Sequence, residues 1–299
     1  MEDKKDILEA ISGTTRNQVV EAGVIENSVL TSRYYCDALN DESINNVLGG
    51  TESRLITLVG FSEVGKSTFV ASLYHKFMAN GEVNGSKIVD SDTFVGFEKR
   101  AYVRNEAFKT IKRNARTTMT EGQFLTLTLS KNGKKKKLIV SDNAGEKYKN
   151  TYVDNQAEVN KDKGLVNTRH IIFFIDCSVL NDDDEYMDFY DKFQLLLSRM
   201  STAGVFDVQK TYDIIYNKVD TNDTEEKKKT YKTNRINFEN NLVTEFNIKV
   251  SNTFETISND MKDGGMARTF DYIVGLLEET PSINRHSDVN WVQTLLKEK

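Results

Sequence analysis

In Arg54-Leu55-Ile56-Thr57-Leu58-Val59-Gly60-Phe61-Ser62-Glu63-Val64-Gly65-Lys66-Ser67-Thr68-Phe69, a short apolar run stops at a glycine and gives way to helical spacing. Leu55 to Val59 reads as a buried strand, and Phe69, Leu73 and Phe77 then share one helical face. Between them Gly60 to Ser67 matches G-x-x-x-x-G-K-[ST] without deviation. That chemistry needs these residue types. The glycines let backbone N–H groups turn inward around phosphates, Lys66 reaches the β/γ-phosphates, and the Ser67 hydroxyl ligates Mg²⁺. The helix beginning at Lys66 aims its positive end at the anion. The expected nucleotide-binding set here is Gly60, Ser62, Glu63, Val64, Gly65, Lys66, Ser67 and Thr68. An ordinary glycine-rich turn would not need the lysine and serine at this spacing.

Two later segments decide which nucleotide. Leu138-Ile139-Val140-Ser141-Asp142-Asn143-Ala144-Gly145 is a strand ending in D-x-x-G. Asp142 there would hold Mg²⁺ through water, and the Gly145 N–H would sense a γ-phosphate. Asp213-Ile214-Ile215-Tyr216-Asn217-Lys218-Val219-Asp220 is a strand ending in N-K-x-D. Asp220 would accept hydrogen bonds from guanine N1–H and the exocyclic amine, whereas adenine leaves the carboxylate unpaired. Such a requirement discriminates by about 10⁴–10⁵. Lys218 would lay its stem along the base, and Asn217 would brace the loop. All three motifs close strands, where open α/β sheets bind ligands. They imply GTP or GDP with Mg²⁺.

The remainder alternates strand with helix: strands near 123–130, 137–140, 170–176, 212–216 and 248–256, helices near 98–115, 185–200, 224–246 and 266–278. The expected fold is therefore α/β, a three-layer, mostly parallel sheet with one antiparallel hairpin strand and helices on both faces. Asn132-Gly133 marks the hairpin turn. The expected organisation is an extension at 1–52, including a short helix near 6–11, a nucleotide domain at 53–280 with a helical insertion at 81–122, and a tail at 281–299.

The 299 residues carry 45 acids against 40 bases, a net charge of −5, which argues against a dedicated nucleic-acid binder. The longest strongly apolar run, residues 171–175, is far short of a membrane span. The charged first residues lack an apolar core behind them, and Cys36 and Cys177 provide no disulfide framework, so a cytoplasmic protein is expected.

Over residues 54–280 the chain resembles the translation-factor-related, Ras-like P-loop GTPases. More narrowly, it resembles the bacterial double-GTPase group of conflict and antiphage systems, through Gly85-Ser86, Asp92-Thr93-Phe94-Val95-Gly96-Phe97-Glu98, Arg116-Thr117 and Asp142-Asn143-Ala144-Gly145-Glu146. That resemblance implies a GTP phosphohydrolase, slow without help, acting as a molecular switch with a protein partner. A second GTPase or an effector from the same operon would be such a partner. The oligomeric state is left open, and a nucleotide-gated binding module with negligible hydrolysis is the alternative.

Phe254-Glu255-Thr256-Ile257-Ser258 resembles the stretch that backs guanine in small GTPases, with Ile257 or Ser258 in place of its alanine. The Mg²⁺-ligating threonine falls among Thr117, Thr118 and Thr120; Ras-like spacing favours Thr120, and the double-GTPase pattern favours Thr117. Arg116 would supply a cis arginine to the transition state, though a surface arginine is the plainer account. Glu146 stands where Ras-like enzymes commonly place a glutamine that orients water. A carboxylate accepts from water, cannot donate to it and repels phosphate, so intrinsic turnover should be slow. The expected catalytic set is Lys66, Gly145, Glu146 and Arg116. His75 and His170 read as packing residues, residues 182–185 as acids balancing a helix dipole, and residues 134–137 as a lysine-defended sheet edge.

Overall fold

The computed structural model describes residues 37–47, 51–101, 123–258 and 265–278. Its strands are β1 (Glu52–Val59), β2 (Lys87–Asp90), β3 (Phe124–Lys131), β4 (Lys134–Ser141), β5 (His170–Asp176), β6 (Thr211–Asn217) and β7 (Val250–Thr256). They form a single sheet in the order β2-β3-β4-β1-β5-β6-β7. β3 runs antiparallel to both its neighbours, and every other pairing is parallel. The hairpin between β3 and β4 turns on Asn132 (φ 51°) and Gly133 (φ 77°), two left-handed residues whose twist matches that of the strands.

The helices are α1 (Lys66–Asn80), α2 (Phe94–Ala101), α3 (Gln156–Lys161), α4 (Lys163–Asn167), α5 (Cys177–Leu180), α6 (Asp183–Thr202), α7 (Glu225–Phe246) and α8 (Met266–Gly275). One π-helical segment, Lys147–Tyr152, follows β4. Helices cover both faces because the central strands are apolar on both sides, as parallel strands usually are. Successive residues of β5 show the division. Phe174 meets Phe69 of α1 at 5.2 Å between ring centroids, while Phe173 meets Phe193 of α6 at 5.9 Å from the opposite face. Phe69 also reaches Phe270, which puts α8 beside α1.

The acids at residues 182–185 behave as a helix start. The Asp182 side chain accepts from the Glu185 N–H at 3.0 Å, and the other acids occupy the first turn of α6. His170 is fully buried against Asp213, and Cys177 is a buried free thiol. No described helix is long and apolar enough to cross a membrane.

Three features depart from the sequence expectation. Residues 134–137 do not form a sheet edge, because β4 lies between β3 and β1 and Lys137 is buried there. β2 adds an edge strand beyond the hairpin, and the helix expected over 98–115 begins earlier, at Phe94. The cause is a polar clasp across β3. Ser91 Oγ donates to the Thr126 carbonyl at 2.5 Å, the Thr126 N–H donates to Thr93 Oγ1 at 2.8 Å, and Lys137 pairs with Asp92 at 2.8 Å. These contacts pin the chain at residues 91–93, so the helix starts directly after them. Residues 102–115 lie outside the described residues, as do the short helix expected near 6–11 and the 281–299 tail. Residues 37–47 of the extension lie against the hairpin: Leu39 and Phe124 exchange two backbone hydrogen bonds of 2.9 Å, and Leu39 and Ile44 pack with Phe124 and Ile139.

Candidate functional site

Parallel strands β1, β4, β5, β6 and β7 end on one side of the sheet, and the loops after them form the site. At the end of β1, Gly60 passes so close to β5 that a Cβ would lie 2.5 Å from the Phe174 carbonyl. Gly65 holds φ 98°, and a Cβ there would lie 2.3 Å from Asn217 Nδ2. The glycines are thus required by close approach as well as by the turn. α1 opens on a bond from the Phe69 N–H to the Gly65 carbonyl (2.9 Å), which places its positive end at the loop.

Lys66 is buried beneath the loop. Its Nζ donates to the Gly60 carbonyl at 2.6 Å and the Phe61 carbonyl at 3.0 Å, and it lies 5.6 Å over the Tyr148 ring. Burial pulls its pKa down to about 8, against the opposing pull of Asp142 and Glu146. The amine stays largely charged at neutral pH.

The D-x-x-G segment closes directly on this loop. Ser67 Oγ donates to Asp142 Oδ1 at 3.1 Å, and Arg100 Nε donates to Asp142 Oδ2 at 2.8 Å. A Cβ on Gly145 would lie 2.3 Å from the Ser62 nitrogen, so only glycine fits this crossing. Behind it sits a buried polar knot. Asp162 accepts from Asn143 Nδ2 at 2.7 Å, from the Leu165 N–H at 3.0 Å and from the Tyr152 hydroxyl, while the Tyr148 hydroxyl donates to the Leu58 carbonyl at 3.0 Å. Gly145 and Glu146 therefore ride on a braced base.

At the other end of the site Asn217 is a four-way tie. Its Nδ2 donates to the Val64 carbonyl at 2.8 Å, and its Oδ1 accepts from Thr256 Oγ1 at 3.0 Å and from the Ser258 N–H and Oγ, both at 2.9 Å. One buried side chain thus joins the phosphate loop to the segment after β7. Lys218 adopts φ 63° and pairs with Asp176 at the end of β5, and Asp220 stands exposed in the turn that follows.

The structure brings together Gly60 through Thr68, Asp142, Gly145, Glu146, Asn217, Lys218, Asp220 and Ser258. Arg116, Thr117, Thr118 and Thr120 lie outside the described residues. Asp176, Asp162 and Arg100 join the site without having been singled out, and Thr256, quoted only within the base-backing stretch, donates to Asn217. Asp176 and Thr256 close parallel strands, and that position was the available signal. Nothing local marks Asp162 or Arg100.

For a cation, Ser67 and Asp142 offer a hydroxyl and a carboxylate, hard oxygens suited to Mg²⁺. Among the described residues no cluster of three or more His, Cys, Asp or Glu could hold a metal. Mg²⁺ keeps water and substrate phosphate in its shell, so one hydroxyl and one carboxylate, 3.1 Å apart, suit it.

A family model described as Double-GTPase 2 matches residues 54–272. No curated protein matches the chain.

Proposed function

The chain belongs to the Double-GTPase 2 family, and on that premise we propose that it binds GTP with Mg²⁺, hydrolyses it slowly and changes its hold on a protein partner as it does so. The observation that carries this reading is the Asn217 tie, because it couples the phosphate loop to the N-K-x-D and base-side segments in one rigid unit. In this reading the 60–68 loop cradles the phosphates and Lys66 places its charge on the β- and γ-oxygens. Ser67 and Asp142 would hold Mg²⁺, Asp142 through water, and the ion would supply charge neutralisation to the phosphates. Gly145 presents its amide to the γ-phosphate. Asp220 reads the guanine edge, Lys218 covers the base and Ser258 backs it. Thr117 completes the metal shell in this proposal, and Arg116 is offered as a cis arginine.

Glu146 sets the rate. A carboxylate beside the phosphates holds a water only as acceptor and repels the developing charge, so turnover is slow until a partner intervenes. The partner proposed is a protein, a second GTPase or an effector encoded nearby, in a cytoplasmic antiphage setting. Multiple-turnover phosphate release from GTP tests the enzyme reading. Release above the uncatalysed background supports hydrolysis. Tight GTP binding with no release favours a static, nucleotide-gated binding module, which the Glu146 carboxylate would also suit.

Lys66→Ala removes the only lysine within the loop. Charge-assisted hydrogen bonds are worth about 1.5–3 kcal/mol, so GTP affinity falls about 10- to 100-fold by calorimetric titration. Circular dichroism should show the fold retained. Unchanged affinity would mean that the loop does not bind phosphate.

A further inference from the structure

Arg100 is the last residue but one of α2, and its side chain is only 9% exposed. Its guanidinium is planar, with two edges that each offer a pair of donors. On one edge Nε donates to Asp142 Oδ2 at 2.8 Å; elsewhere Nη1 donates to the Gly96 carbonyl of its own helix at 3.1 Å. Nη2, which shares an edge with Nε, is buried and has no acceptor among the described residues. A buried guanidinium donor without a partner is costly, and this one lies beside the carboxylate that also receives the Ser67 hydroxyl.

The arginine is not loosely placed. α2 is clamped by the Asp92–Lys137 pair at its start, and Phe97 stacks on Tyr74 of α1 at 5.2 Å. Gly96 is pressed so tightly against the 37–47 segment that a Cβ would lie 1.8 Å from the Asp37 carbonyl. The whole helix therefore serves as a mount for its C-terminal end.

We infer that Arg100 is an arginine that meets the terminal phosphate of GTP, distinct from Arg116, with Nε kept on Asp142 and Nη2 turned to a γ-phosphate oxygen. This rests on the reading of residues 60–67 as the phosphate site. The open half of the fork calls for an oxyanion placed beside Asp142 and Ser67, where the third phosphate of GTP, absent from GDP, would lie. Arg100 then contributes to telling GTP from GDP, and it ties α2 and the 37–47 segment to the nucleotide state.

The test is binding rather than turnover. Affinities for GDP and for a non-hydrolysable GTP analogue are measured by fluorescent-nucleotide competition in the full chain and in Arg100→Gln and Arg100→Lys, with thermal melting as the check on folding. Loss of one charge-assisted contact should weaken the GTP analogue about 10- to 100-fold in Arg100→Gln while GDP changes less than about 3-fold. Arg100→Lys keeps the charge without the fork, and should show a smaller loss of the same selective kind. An equal loss for both nucleotides, or no loss for either, would overturn the inference and leave Arg100 as a counter-ion to Asp142 alone. Failure of the unmodified protein to bind the analogue would instead overturn the phosphate-site reading itself.

Discussion

Asp220→Asn should lower GTP affinity by about 10⁴–10⁵-fold and create affinity for xanthosine triphosphate in its place. The size follows from unpaired hydrogen-bonding groups: a site built to satisfy two donors is left with an amide facing one of them. Xanthine carries a carbonyl at C2 and suits the new amide donor. The geometry favours a clean exchange, because Asp220 is exposed in its turn and takes no part in the internal ties that hold the site. Asn217, by contrast, carries those ties, so the same experiment at Asn217 would disturb phosphate loop and base loop together. Competition among GTP, ATP and xanthosine triphosphate measures the outcome. Equal affinity of the unmodified protein for ATP and GTP would refute guanine recognition altogether.

The second large effect lies away from the nucleotide. Asp213 is fully buried in β6, four residues before Asn217 and so about 13 Å along the strand from it. His170 Nε2 lies 2.6 Å from Oδ2, and the Tyr272 hydroxyl donates to the same oxygen at 2.7 Å. Oδ1 accepts from the Asn252 N–H at 2.9 Å and from its side-chain amide at 3.2 Å. One carboxylate thus joins β5, β6, β7 and α8. Asp213→Ala leaves the buried His170 without its acceptor and takes a charged acceptor from the Asn252 and Tyr272 donors as well, a loss of about 3–5 kcal/mol. For a domain of this size that lowers Tm by about 6–20 °C. Nucleotide affinity, measured below the new Tm, should stay within about 2-fold, since no group of the site is touched. A Tm within about 2 °C of the unmodified protein would show that the network contributes little; a large fall in GTP affinity would show that it reaches the site.

Short-range order carried most of the fold. The 2-residue alternation of β3, the apolar runs of β1, β5 and β6, and the helical spacing of α1 are local patterns, and burial follows them because side-chain direction is fixed within each element. The same holds for Gly60 to Ser67, Asp142 to Gly145 and Asn217 to Asp220. Their backbone geometry and chemistry are written into a few consecutive residues, and each follows a strand. Even the Asn132-Gly133 turn was legible, since two left-handed residues in succession select that hairpin.

What required the tertiary structure was every contact between residues distant in sequence with no periodic mark. β2 is four residues of mixed polarity, and only its pairing with β3 makes it a strand. The start of α2 depends on Thr126, more than thirty residues later. Arg100 looks in sequence like any charged residue in the first turn of the helix expected over 98–115, and its meaning comes from the fold setting it on Asp142 with one donor unanswered. Lys218 finds Asp176, and Asp213 gathers His170, Asn252 and Tyr272, because parallel strands align their ends and middles across the sheet. The sequence by itself determined which nucleotide chemistry the loops can perform, for that chemistry is local. The tertiary structure decided which distant side chains complete it, because burial and charge pairing are settled only when the strands and helices pack.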